Sequence, residues 1–244
     1  MGLPAVLLDV LDSGVVVNRD GVETPLLGNV SLTEAERLYE VVRALRPEVT
    51  LELGFAHGIS SLAIVQALED NGRGTHHVVD PFENSDYGGV GLTNLARAGL
   101  RDRVVFHEAY AEEVVPSLPR ASFAFIDSSH LFDLTLMEFI LVDKRLDIGG
   151  IIGFHDLWLP GLVKALRYIV TNRKYRVHDD IPTPPTPAKW RIGNAIVRRI
   201  PHAGFVFRPE VMELRMDDLG LVQQMTFVEK LGDDTRNWDF YRSF

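Results

Sequence analysis

"VTLELGFAHGISS", residues 49–61, is the stretch whose reading decides the fold. Val49 to Leu53 read as a short strand, Gly54 and Gly58 as a turn, and Ile59 onward as a helix. Strand, tight turn and helix in that order make the opening half of a βαβ unit. Glu52 stands out because the rest of the strand is mostly apolar. A carboxylate there must face water or meet a partner, since burying an unpaired charge is very costly.

Outward from this stretch the alternation continues. Before it, "SLTEAERLYEVVRALRP" reads as a helix. Ser31 and Thr33 each have a glutamate three residues on, Leu38, Val41, Val42 and Leu45 form one stripe, and Pro47 lies just beyond the end. After it come a helix from Ile59 to Gly72, a strand in "THHVVD", a helical segment over 91–99 and a strand in "RVVFHEA". A short helix over 112–118, a strand in "SFAFID", a helix over 133–145, a strand in "GGIIGF", a helix over 161–172 and a strand in "KYRVH" follow. Short apolar strands alternating with helices predict an α/β fold, a Rossmann-like doubly wound, mostly parallel sheet of seven strands with helices on both faces. "QMTFVEKL" reads as a last strand, antiparallel and inserted near one edge.

The expected organisation is an N-terminal extension over 1–30 and one domain over 31–244, with 180–222 as a lid or insertion. "IPTPPTPAKWRIG" carries four prolines and can be neither regular helix nor central strand. It reads as a surface connection or as a flap over a ligand. "NAIVRRI" reads as a strand and "PEVMELRMDDLG" as a short helix, and the aromatic tail "GDDTRNWDFYRSF" is expected to pack on the domain.

Composition narrows the function. The 244 residues hold 25 Lys plus Arg against 34 Asp plus Glu, a formal net charge of −9, and no cysteine. Disulfides, thiolate metal sites and cysteine nucleophiles are excluded. An acidic chain without a basic run is poorly suited to nucleic acid or to anionic membranes. No apolar run approaches the ~20 residues of a membrane span, and Asp9 and Asp12 come too early for a signal peptide. The expectation is a cytoplasmic protein with a small-molecule partner and, through the N-terminal extension, a homodimer.

In an open parallel sheet, ligands bind beyond the carboxyl ends of the strands. The residues there are 54–61, 80–83, 109–112, 127–130 and 155–158, each group polar or glycine-rich. The turn is no dinucleotide fingerprint, because Ala56 replaces a glycine, and no P-loop, because no lysine follows Gly58. A carboxylate beside it suits a cationic ligand end such as an ammonium; a structural turn with a solvent-facing Glu52 is the alternative. Asp80 is placed to accept hydrogen bonds from the hydroxyls of a ribose, or to hold a turn before Pro81. Ammonium and ribose together point to S-adenosylmethionine rather than NAD.

"LELGFAHGISS", "VVDPFE", "AFIDSSHLFD" and "GGIIGFHDLWLPG" resemble the class I S-adenosylmethionine-dependent methyltransferases. The subgroup most resembled contains macrocin-type sugar O-methyltransferases and cephalosporin-hydroxylase-like proteins. The likeness runs from about Ser31 to Tyr175 and returns over "TFVEKLGDDTRNWDFYRSF". It implies that Glu52, Gly54, Ala56, Gly58, Ser60 and Ser61 hold the amino-acid part of the cofactor, that Asp80 binds the ribose, that Ala111 borders the adenine, and that Asp127 lies near the transferred methyl. It also implies either a divalent cation, Mg, Mn or Zn, held by Asp127, His155 and Asp156, or, because His155 stands where relatives carry a carboxylate, a lost metal site in which Asp156 orients His155 by a hydrogen bond.

Methyl transfer to a hydroxyl needs the proton removed as the oxygen attacks, and histidine is matched to that near neutral pH. His130 in "DSSH" is the expected general base, with Asp127 beside it; the alternative is a histidine that only shapes the loop. Phe132, Leu157 and Trp158 read as an acceptor wall or as core. His57, His76, His77, His107, His178 and His202 read as incidental. The expected function is an enzyme methylating a small-molecule hydroxyl; a hydroxylase-like or other metal-dependent enzyme on the same fold, or a non-catalytic cofactor-binding protein, is the alternative.

Overall fold

A computed structural model describes residues 2–178, 224–240, 242 and 244. The chain opens with α1 (Ala5–Ser13) and a hairpin of β1 (Val15–Val17) and β2 (Glu23–Pro25). It then alternates through α2 (Leu32–Leu45), β3 (Val49–Leu53), α3 (Ile59–Asn71), β4 (Thr75–Val79), α4 (Val90–Arg97) and β5 (Val104–His107). After these come α5 (Ala111–Val114), β6 (Ala121–Ile126), α6 (Phe132–Asp143), β7 (Leu146–Phe154), α7 (Pro160–Asn172), β8 (Tyr175–Val177) and β9 (Thr226–Lys230).

Seven strands form one sheet in the order β5-β4-β3-β6-β7-β9-β8. β9 runs antiparallel to both neighbours and the rest pair in parallel, as the sequence predicts. Chain order reverses between β3 and β6, so the topological switch point lies between the turn at Gly54 and the loop at Asp127.

Period-2 alternation divides the core between the two faces of the sheet. Phe123 and Phe125 of β6 pack with α1, α2, α3 and α4 on one side, while Ala124 and Ile126 pack with α6 and α7 on the other. The same alternation sends Thr50 and Glu52 to the α3 face, because Leu51 and Leu53 belong to the opposite cluster.

The N-terminal residues are part of this core. Leu7, Val10, Val16 and Val30 are buried with α2 and α3, and Arg19 N–H donates to Gly88 O at 3.2 Å. At the other end, Arg236 Nη1 donates to Tyr168 Oη at 2.8 Å and Phe244 stacks edge-on against Tyr168, whereas Trp238 is 92% exposed. The tail therefore docks on α7 through an arginine and a phenylalanine rather than its tryptophan. The expected insertion at 180–222, with its strand and helix, lies outside the described residues.

Candidate active site

At the switch point lies a cavity of about 540 Å³, within the usual range for a small-molecule site. It is lined by Gly54, Ala56, Ser60 and Asp80 and by Asp127, His130 and Asp156. Leu27 to Val30 of the N-terminal segment and Leu134, Met137 and Glu138 of α6 complete the wall.

The turn after β3 is built for close approach. A Cβ at Gly54 would meet the Asp127 carbonyl oxygen at 2.1 Å, and φ there is +89°. Only glycine lets the chain turn while β3 and β6 converge. Gly58 N-caps α3 with φ +73°, and a Cβ there would meet Gly91 Cα at 2.9 Å. Asp80 clamps the turn: its Oδ2 accepts from the Phe55 and Ala56 N–H groups at 2.7 and 3.2 Å, and its Oδ1 from Phe82 N–H at 2.7 Å.

Glu52 is not brought to the cavity. It is fully buried beneath α3, where the Ser60 and Ser61 hydroxyls donate to its two carboxylate oxygens. His76 Nε2 faces Glu52 Oε2 at 2.7 Å, and His76 Nδ1 meets Thr50 Oγ1 at 2.7 Å. The reason is the strand's alternation, which aims position 52 at a covered face and not past the rim. Expectation and structure therefore part here: Glu52 meets a histidine read as incidental, and Ser61 stands behind the turn with it. Ser60 belongs to both the network and the cavity wall.

Beyond β6 and β7 a second cluster forms. His130 Nε2 lies 3.2 Å from Asp127 Oδ1 and 3.0 Å from Asp156 Oδ2. His130 and Asp156 both hold left-handed backbone, at φ +56° and +54°, a conformation that costs non-glycine residues energy and recurs at functional sites. Trp158 is 68% exposed; its indole N–H donates to Asp156 Oδ1 at 2.9 Å, steadying that carboxylate. Hydrogen bonding to Asp127, against the opposing pull of burial, raises the His130 pKa above its ordinary 6.5.

His155 points the other way. Its Nδ1 lies 3.3 Å from Asp127 Oδ1 and 3.6 Å from Asp156 Oδ1, while its Nε2 lies 3.4 Å from Glu34 Oε1, an ion-pair distance. Burial opposes charge on this ring, but the carboxylates of Asp127 and Glu34 prevail and push its pKa up to about 10. Glu34, also resisting burial, is held down at about 2 by His155 and by Ser31. Asp127 is likewise lowered, with both histidines outweighing desolvation.

The expected cation ligands were Asp127, His155 and Asp156. Among the described residues, the ligand atoms that converge within 4.8 Å are those of Asp127, His130 and Asp156. They offer one ring nitrogen and two carboxylate oxygens, a donor set that could hold a divalent ion. His130 Nε2 faces both carboxylates, and His155 Nδ1 lies against the same two.

Glu34 and Glu138 escaped the sequence reading. Glu34 was legible only as a helix cap, a role it keeps by accepting from Ser31 N–H and Oγ–H at 2.8 Å each. Glu138 lines the cavity, accepts from Ser128 Oγ–H at 2.6 Å, and has its pKa raised by burial. Nothing short of the tertiary fold signals either position. Ala111 does border the cavity, whereas Phe132, Leu157 and Trp158 do not line it.

Residues 51–157 match a family model described as a methyltransferase domain. The chain is 27% identical over 162 residues to caffeoyl-CoA O-methyltransferase of Populus kitakamiensis, covering 64% of this chain and 62% of that protein. It is 27% identical over 148 residues to catechol O-methyltransferase B of Danio rerio, covering 57% of this chain and 53% of that protein. The chain thus spans little more than half the length of these relatives. In fold it is similar to the SAH-bound Podospora anserina methyltransferase PaMTH1, with a TM-score of 0.59 and 16% identity over 96% of this chain and 90% of that one.

Proposed function

We propose that this chain transfers a methyl group from S-adenosylmethionine to a hydroxyl of a small-molecule acceptor. The observation that carries the reading is one cavity at the switch point, lined both by the glycine turn with Asp80 and by the Asp127–His130–Asp156 cluster. The matched methyltransferase-domain model and the O-methyltransferase relatives support it.

The donor supplies an electrophilic methyl carbon on a sulfonium; the chain supplies position and a proton acceptor. Gly54 lets backbone approach the donor, and the lone pairs that Asp80 has left beyond its three backbone bonds accept from ribose hydroxyls. Ser60 and Ala111 also line the cavity. Asp127 and Asp156 hold His130 through Nε2, which leaves Nδ1 as the atom that takes the acceptor's proton. Fixing donor and acceptor in line supplies most of the acceleration, and proton removal at His130 contributes about 10²- to 10⁴-fold.

The macrocin-type likeness in the sequence favours a sugar hydroxyl, and the caffeoyl-CoA and catechol relatives favour a phenolic one. Calorimetry with S-adenosylhomocysteine tests the donor half: binding supports the reading, and neither heat nor thermal stabilisation at millimolar ligand ends it. Release of S-adenosylhomocysteine against a panel of sugar and phenol acceptors then identifies the acceptor half.

A further inference from the structure

We propose that Glu138, on α6, reads the base of the methyl donor: its free carboxylate oxygen accepts a hydrogen bond from the exocyclic amine of adenine, so that the cavity prefers an aminopurine to a 6-oxopurine. The inference rests on the methyl-transfer reading and deepens it, and its experiment tells the failure of one from the failure of the other.

Two unmet polar atoms carry it. Glu138 lines the cavity and is only 6% exposed. Its Oε1 accepts from Ser128 Oγ–H at 2.6 Å, whereas Oε2 is buried and has no hydrogen-bond partner among the described residues. The Ser129 hydroxyl lines the same cavity close to this carboxylate and is likewise buried without a partner among the described residues. A buried acceptor left unmet is costly, and a carboxylate more so than a neutral group. Both atoms are set for a partner that the ligand brings.

Their chemistry defines the edge they suit. A carboxylate oxygen accepts, and a hydroxyl either donates or accepts. Together they match a flat edge with an N–H donor beside an acceptor, which adenine carries at its amine and the adjoining ring nitrogen. A 6-oxopurine would instead set a carbonyl oxygen against Oε2. Leu134, one helical turn before Glu138, and Met137 line the same wall and supply apolar surface for a flat ring.

The place in the fold favours the base over the acceptor. Glu138 stands between the Ser128–Ser129 loop and α5, which packs on α6 and whose first residue, Ala111, lines the cavity. With the ribose at Asp80 and the sulfonium near Asp127, the base is the part of the donor left to fill that corner. Glu112 lines the cavity too, but it is exposed, so water already satisfies it.

The test is calorimetry with S-adenosylhomocysteine and its 6-oxo analogue, S-inosylhomocysteine, on the full chain and on Glu138→Gln. The wild type should prefer the amino compound by about tenfold or more. Glu138→Gln, whose amide can offer an N–H to a carbonyl, should narrow that preference to about threefold or less. A wild type that binds both alike overturns the proposal, as does a folded Glu138→Gln that keeps the full preference. A variant that keeps it but raises KM for an acceptor moves the contact to the acceptor and also overturns it. Should Glu138→Gln not fold, Ser129→Ala takes its place, and an unchanged preference there overturns the proposal. S-adenosylhomocysteine failing to bind the wild type at all ends the methyl-transfer reading and this inference with it, whereas binding without preference ends this inference alone.

Discussion

Glu34 Oε1 stands 3.4 Å from His155 Nε2, which joins the first turn of α2 to the carboxyl end of β7 by a single ion pair. Its two partners titrate far apart, and that sets a pH signature. The His155 pKa is raised to about 10, so its contribution to stability is complete below the ordinary 6.5 and fades as pH climbs toward 10. The Glu34 pKa is lowered to about 2, so its contribution is complete above the ordinary 4.5 and fades as pH falls toward 2. Both are in force between those ordinary values. Melting temperature followed from pH 7 to 10 should therefore fall more steeply in the wild type than in Glu34→Gln; parallel curves would count against the pair.

The Glu52–His76 pair makes a different forecast. Both side chains are fully buried, so His76→Ala strips the carboxylate of one of its partners. Breaking such a pair costs about 3–5 kcal/mol, readable by urea denaturation. Because neither residue lines the cavity, S-adenosylhomocysteine affinity of the folded variant should change less than it does in Asp80→Ala.

Asp80→Ala removes both the clamp on the Phe55–Ala56 turn and a cavity carboxylate. A loss of about tenfold or more in S-adenosylhomocysteine affinity is expected by calorimetry, about 1.4 kcal/mol or more. Unchanged affinity would mean that the turn needs no clamp and the ligand no acid.

For His130→Ala, a fall of about 10²- to 10⁴-fold in kcat with donor binding retained marks a general base. The sign of the pH dependence is also set. Hydrogen bonding to Asp127 raises the His130 pKa, and a base works deprotonated, so the rate should rise with pH through a value above 6.5. A flat pH–rate profile on an identified acceptor would remove His130 from the chemistry.

Gly54→Ala and Gly72→Ala form a matched pair. Both positions have positive φ, but a Cβ at Gly54 would strike the Asp127 carbonyl whereas one at Gly72 meets nothing within 4 Å. Gly72→Ala should cost on the order of 1 kcal/mol, from backbone conformation alone. Gly54→Ala should cost visibly more and also weaken donor binding, measured by melting temperature and calorimetry.

What the sequence yielded tracks how local each signal is. β3 was legible to the residue because apolar alternation, a glycine turn and a helix start are all written within 49–61. The antiparallel β9 was legible as a strand with a place near an edge. The partner of Glu52 was not, since Thr50 and His76 become neighbours only through the β3–β4 register, 26 residues apart. Glu34 could be read as a cap and not as a site residue, because nothing in "SLTEAE" announces where the helix start will come to rest. Residues 1–30 lack a long periodic pattern, and their burial is decided by what α3 and α4 later present to them.

Those first thirty residues give the cavity an unusual bookend. Leu27 to Val30 line it together with Asp127 and His130, from positions about a hundred residues earlier in the chain. A ligand that touches both groups is held only while this early segment is docked against the later sheet. Donor affinity should accordingly serve as a gauge of long-range closure: peel the hairpin away, and binding would fade before the strands beneath lose their order.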